Sequence, residues 1–160
     1  FRLRGQEFQW SNPYDETCEI VWVISPPITK GRWNMVHGRC ECGGVAFEVT
    51  QVRDTVTFCH CSQCRRTSGH YWAATRADAS DMTFSQDHGL AWYQSSPTNR
   101  RGFCKLCGSS LFYQPRGANH MGIAAGCLDL PTGMRAGKHI YTADSGDYYT
   151  IPDDAPHIPD

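Results

Sequence analysis

Seven of the nine cysteines fall in three short clusters: Cys40-Glu-Cys42-Gly-Gly, Cys59-His-Cys61-Ser-Gln-Cys64 and Cys104-Lys-Leu-Cys107-Gly. Thiolates at such spacings are ligands for a soft or borderline divalent metal, zinc above all. In a C-x-x-C turn the two sulfurs converge on one point. In a C-x-C along an extended strand both side chains leave the same face, because the strand period is two. A disulfide framework fits less well, since nine is an odd number, no signal peptide is visible, and these pairs lack the spacing of a secreted scaffold.

A glycine directly after a ligating pair lets the backbone turn tightly and aim amide N–H groups at the thiolate. Cys42 and Cys107 are each followed by glycine, whereas Cys64 is followed by Arg65. Cys40, Cys42, Cys104 and Cys107 therefore read as two halves of one closed, structural four-cysteine site. Such a site adds on the order of 10 kcal/mol to folding. Cys59, Cys61 and Cys64 remain, enough to hold a second zinc and leave its fourth position open, as in a catalytic site. Three thiolates on Zn²⁺ leave a net charge of −1, a weaker Lewis acid than zinc on three imidazoles, so sulfur chemistry suits this site better than hydrolysis. The competing reading closes the triple with His60 or His70. His60, between two ligands on a strand, is expected to face the other way, and His70 reaches the site only if the chain folds back after Gly69. Cys18 and Cys127 fit no cluster and read as small buried hydrophobes.

The elements that must position these residues read as strands. Val45–Thr50 alternates apolar and polar residues, and Thr55–Phe58 is β-branched and runs into the triple cluster. His70–Thr75, Met82–Phe84, Leu90–Tyr93, Ser110–Tyr113 and His120–Ala125 are further short candidates. Helix is expected only over Arg76–Asp81, for one turn, and just after Cys64. Many short strands separated by turn residues indicate an all-β domain. Residues 1–34 differ from the rest: they hold one β-like run, Glu19–Ile24, and no ligand cluster, and read as an N-terminal extension preceding a domain over 35–160. The last ten residues, with Pro152, Pro156 and Pro159, read as an extended surface tail.

Composition narrows the function. The formal charge of −1 becomes −4 once seven thiolates and two Zn²⁺ are counted, so neither nucleic acid nor an anionic membrane is expected as a partner. No apolar stretch approaches the roughly 20 residues of a membrane span. Zinc thiolates survive best under reducing conditions, which makes the cytoplasm the expected compartment.

The three clusters in their full context, Cys40-Glu-Cys-Gly-Gly-Val-Ala-Phe-Glu-Val49, Phe58-Cys-His-Cys-Ser-Gln-Cys-Arg-Arg-Thr-Ser-Gly69 and Arg101-Gly-Phe-Cys-Lys-Leu-Cys-Gly-Ser-Ser-Leu-Phe-Tyr113, resemble the glutathione-dependent formaldehyde-activating enzymes, also called the centromere protein V family. Ala125-Gly-Cys-Leu-Asp-Leu-Pro131 and His139-Ile140 resemble its later elements, and the resemblance runs from about residue 35 to about residue 155. It implies an Mss4-like fold of small antiparallel sheets around zinc, with Cys40, Cys42, Cys104 and Cys107 on a structural zinc and Cys59, Cys61 and Cys64 on a catalytic one. It implies a carbon–sulfur lyase that condenses formaldehyde, or a related small electrophile, with glutathione or a similar thiol. The alternative is a zinc-stabilised protein-interaction module without catalysis. In the family Met35-Val-His-Gly would be a normal start, which leaves residues 1–34 to cover the site, form an interface or be extraneous. Cys127 stands where the family usually has Thr or Ser, as a buried small residue or a thiol near the pocket. Arg65, Arg66, Arg100 and Arg101 could meet substrate carboxylates, although paired arginines on turns are more commonly solvated. Tyr71 and Trp72 read as pocket lining or core.

Overall fold

A computed structural model describes residues 35–160; the stretch 1–34, with Cys18 and the Glu19–Ile24 run, lies outside the described residues. Within the domain, alternation becomes burial as the sequence requires. In β2 (Ala46–Val49) Phe47 and Val49 are buried while Ala46 and Glu48 are half-exposed. β2 pairs antiparallel with β1 (Val36–Arg39) on one side and β5 (Met82–Gln86) on the other, making a three-stranded sheet.

The remaining strands form a sheet of eight. They are β3 (Thr55–Cys59), β4 (Trp72–Asp78), β6 (Leu90–Ser96), β7 (Asn99–Cys104), β8 (Ser110–Pro115), β9 (His120–Ala124), β10 (Arg135–Ile140) and β11 (His157–Ile158). Their order is β11-β10-β3-β4-β9-β8-β7-β6. The all-β expectation holds, but the sheet is mixed, since β10 runs parallel to both β3 and β11. The core lies where the two sheets meet. Phe47 of the small sheet packs edge-on against Phe112 of the large one at 5.1 Å between ring centroids, with Phe84 5.7 Å from Phe112. Val45, Val49, Leu111 and Ile123 complete the fully buried set around them. Burying side chains of this size contributes roughly 1.5–3 kcal/mol each.

Helix is scarcer than strand, and it falls at both places the sequence suggested, in altered form. Arg76–Asp81 divides evenly between the end of β4, through Asp78, and a 3₁₀ turn over Ala79–Asp81. Its alanines are overridden by pairing of Arg76, Ala77 and Asp78 with β9. The α-helix, α1, spans Ser62–Ser68 and begins inside the triple cluster rather than after it, with the Cys61 sulfur accepting from the Cys64 amide as the N-cap. Among the described residues no helix is long and apolar enough to cross a membrane.

The last ten residues lie at the surface, as expected, and are tied down there. His157 and Ile158 add a strand to β10, the His139 amide donates to the Pro156 carbonyl at 2.8 Å, and the side chains of Tyr149 and Asp154 reach buried histidines.

Candidate metal centres

The β1–β2 turn carries Cys40 and Cys42, and the β7–β8 turn carries Cys104 and Cys107. Packing of the two sheets brings the turns together across 62 residues of sequence between Cys42 and Cys104. The four sulfurs all lie within 4.8 Å of one another. Cys40 and Cys42 sulfurs are 3.6 Å apart, and those of Cys42 and Cys104 are 3.8 Å apart. A tetrahedron with metal–sulfur bonds of about 2.3 Å has edges of about 3.8 Å, so the spacing fits a single ion. Gly43 and Gly108 both adopt positive φ, at +75° and +79°, the turn expected after each pair. The Val45 amide donates to the Cys40 sulfur at 3.2 Å, and the Ser109 hydroxyl lies 3.2 Å from the Cys107 sulfur.

The second cluster forms where β3 ends and α1 begins. Cys59 is the last residue of β3, Cys61 caps the helix and Cys64 is buried in its first turn. Their sulfurs also lie within 4.8 Å of one another, with Cys59 and Cys61 3.6 Å apart. Among the described residues no fourth His, Cys, Asp or Glu joins this group. His60 turns away from it, as strand alternation requires. Its Nδ1 lies 2.8 Å from the Tyr149 hydroxyl and its Nε2 lies 3.0 Å from His139 Nδ1. His70, exposed, packs its ring 4.2 Å from that of Tyr149. Neither histidine closes the triple.

Charge distribution in both clusters shows why a cation suits them. In the triple, the bond from Cys59 first, and then Arg101, lower the Cys64 thiol to about 6 against the opposing effect of burial. Cys59 is driven upward for the complementary reason, since it donates to Cys64 and is itself desolvated. In the set of four, Ser109 holds Cys107 down at about 5. Cys42 receives an amide from Gly44 that lowers it, yet proton sharing with Cys107, Cys40 and Cys104 and desolvation leave it raised to about 11. Adjacent thiols cannot all ionise without a counter-cation. A divalent ion displaces the remaining protons and relieves that conflict. The eight cysteines among the described residues are all free thiols.

A cavity of about 580 Å³ lies against the set of four, with Cys40 but none of Cys59, Cys61 and Cys64 in its lining. Cys40 and Ser109 line one side, the end of α1 at Thr67 and Ser68 the other, with Trp72 and Cys127 between them. Tyr71 and Trp72 both line this cavity, and Trp72 is buried as a core residue would be. Cys127 does not join either cluster. Its thiol donates to the Ala124 carbonyl at 2.9 Å, and burial pushes it up to about 12, so it stays protonated.

The four arginines separate sharply. Arg66 and Arg100 are exposed, and Arg100 lies over the Trp92 ring, 4.3 Å from its centroid. Arg65 donates from Nε to the Asp144 carbonyl. Arg101 is only 4% exposed. It lies on strand β7 rather than a turn, so the period of two sends Arg100 to one face and Arg101 inward. Asn-Arg-Arg-Gly-Phe-Cys carries no apolar alternation, which is why the strand was not legible. Ser109 and the His60–His139 pair were likewise outside the sequence reading, because their partners come from distant segments.

These features define a class: a small β-protein in which two sheets and one short helix gather cysteines into one closed set and one open set, each able to hold a metal ion. The sequence matches the family "Glutathione-dependent formaldehyde-activating enzyme" over residues 35–144, and the chain belongs to that family. A protein of Halomonas elongata described as "Putative glutathione-dependent formaldehyde-activating enzyme" is 30% identical over 91 residues. That match covers 51% of this chain and 58% of the relative, so it spans little more than half of either. A crystal structure of a Rhodobacter sphaeroides protein superposes with a TM-score of 0.52 at 24% identity, over 76% of this chain and 98% of that one, and shares the fold.

Proposed function

We propose that this chain is a zinc-dependent enzyme of the carbon–sulfur lyase type, acting on the adduct of a glutathione-like thiol and a small aldehyde such as formaldehyde. Cys40, Cys42, Cys104 and Cys107 would hold a structural zinc, and Cys59, Cys61 and Cys64 a second, catalytic one. The observation that carries the reading is the incomplete ligand set: three converging sulfurs, with His60 and His70 both directed elsewhere. A protein stabilised by metal alone needs only the closed set of four.

A zinc ion on three thiolates supplies a ligand position for a small thiol or carbonyl oxygen and a positive centre beside it. The chain's own residues do the rest. Cys59 and Arg101 favour Cys64 as thiolate, α1 fixes the spacing of Cys61 and Cys64, and the end of the same helix, at Thr67 and Ser68, lines a cavity of about 580 Å³, large enough for a small peptide thiol. In the condensing direction the thiol sulfur bonds to the aldehyde carbon, the carbonyl π bond opens, and the thiol proton ends on the new hydroxyl. In the lyase direction the carbon–sulfur bond breaks and the hydroxyl proton returns to sulfur. Catalysis would come from proximity and from stabilising charge on sulfur and oxygen.

The test combines metal counting with exchange spectroscopy. Two zincs per chain are expected, with faster NMR exchange between free formaldehyde and its glutathione adduct in the presence of protein. One zinc, held inertly, would overturn the catalytic site. Two zincs without acceleration would remove this substrate pair.

A further inference from the structure

Arg101 is the one arginine of β7 that faces inward, and its surroundings are unusual for a guanidinium. It is 4% exposed and packed against two aromatic faces, with its Cζ 5.5 Å from the Trp72 ring centroid and 5.2 Å from that of Tyr113. Its Nη2 donates to the Cys64 sulfur at 3.3 Å and to Gln63 Oε1 at 3.0 Å, and its Nε donates to the same Oε1 at 3.3 Å. Nη1 is buried and has no hydrogen-bond partner among the described residues. Among the described residues no carboxylate forms an ion pair with it.

A buried charge needs a countercharge, because removing it from water costs several kcal/mol that neutral hydrogen bonds only partly restore. Gln63 is neutral, and aromatic faces offer only partial compensation. The remaining anion is the Cys64 thiolate. Three thiolates with one divalent ion carry −1, so the guanidinium brings the centre to neutrality in a water-poor setting where charges act strongly. A neutral centre accepts a further anionic ligand with far less repulsion than one at −1.

We propose that Arg101 is the fixed countercharge of the Cys59–Cys61–Cys64 centre, a positioning residue that holds Cys64 and makes the open position select an anionic thiolate over a neutral donor. The inference rests on the zinc reading of that centre. It adds the reason a site already rich in negative sulfur can take one more, and it assigns substrate discrimination to a side chain that bonds only one of the three ligands.

The experiment uses the full chain loaded with Co²⁺, whose absorption reports the ligands of each metal. A small thiol, which binds as thiolate, and imidazole, which binds neutral, are titrated separately. The set of four is closed and contributes a constant background. Arg101→Gln should weaken thiol binding by about tenfold or more, as expected for loss of a charged hydrogen-bond partner, and leave imidazole binding within about threefold. Gln63→Glu places a carboxylate against the guanidinium without removing it, and should lower the thiol-to-imidazole ratio in the same direction. That second variant keeps the test decisive if Arg101→Gln does not fold. Equal weakening of both probes, as a packing role would produce, overturns the proposal, and so does an unchanged ratio in either folded variant. Uptake of a single Co²⁺ by the unaltered chain would overturn the two-metal reading itself, and the proposal with it.

Discussion

Ser109 shows how a residue outside the ligand set tunes a ligand. Its hydroxyl lies 3.2 Å from the Cys107 sulfur and also accepts the Glu41 amide at 3.2 Å, so it links the two turns that carry the four cysteines. By stabilising the thiolate it keeps Cys107 near 5, well below an ordinary thiol. A lowered thiol gives up its proton to a metal at less cost, so protons compete with the metal less effectively as the pH falls. In Ser109→Ala the thiol moves back up, so half-release of zinc should occur at higher pH. At pH 7 transfer to a coloured chelator should be about tenfold faster, within the range typical of lost support around a metal ligand. The clusters were legible at this scale because ligand spacing is a local property. Arg101 was not, because its meaning depends on Cys64, 37 positions away.

At the scale of elements, the set of four depends on how closely two backbones approach. Gly89, just before β6, receives the Lys105 amide on its carbonyl and donates its own amide to Gly44, tying the β1–β2 turn to the β7–β8 turn. A Cβ on Gly89 would stand 2.9 Å from the Cys104 sulfur and 2.9 Å from the Gly44 carbonyl oxygen. Neither neighbour is the far end of a flexible chain, so the turns must separate. Gly89→Ala should cost about 1–3 kcal/mol, the usual cost of overpacking, read as a lower thermal midpoint with zinc bound and as faster zinc release. Strands whose burial alternates, such as β2, were legible. β7 was not, and β10 (Arg-Ala-Gly-Lys-His-Ile) lacks alternation as well. The C-terminal tail is on the surface as expected, but its contacts were not legible, for a related reason. Prolines suggested an extended tail, which these residues are, but the buried His60 and His139 turn that tail into packed structure through Tyr149 and Asp154. His60 is held neutral there, lowered to about 4 first by burial and then by the charge His139 would add.

For the whole molecule the two clusters differ in what they join. The triple is assembled by one strand end and the helix that follows it, over six consecutive residues. The set of four joins the small sheet to the large one, on top of the Phe47–Phe112 contact between them. Chelation should therefore proceed in two phases. The metal of the open triple should leave first, with the circular dichroism of the sheets retained, and the metal of the four should leave later, together with cooperative unfolding. A structural site of this kind contributes about 10 kcal/mol, comparable to the whole stability of a domain at roughly 5–15 kcal/mol. Cys104→Ser should accordingly abolish the thermal transition, whereas Cys61→Ser should keep it and lower the zinc count by one.

The sequence by itself determined which cysteines cluster, their grouping into four and three, and the family to which the chain belongs. Each is written within a few residues, by cysteine spacing, by the glycine that follows a pair, and by strand alternation. Only the tertiary structure decided what surrounds the three: which histidines turn away and which arginine is buried. Those properties arise from segments brought together by sheet order and packing. A charge gains or loses its partner by position in space, and that position is not encoded in any one stretch of chain.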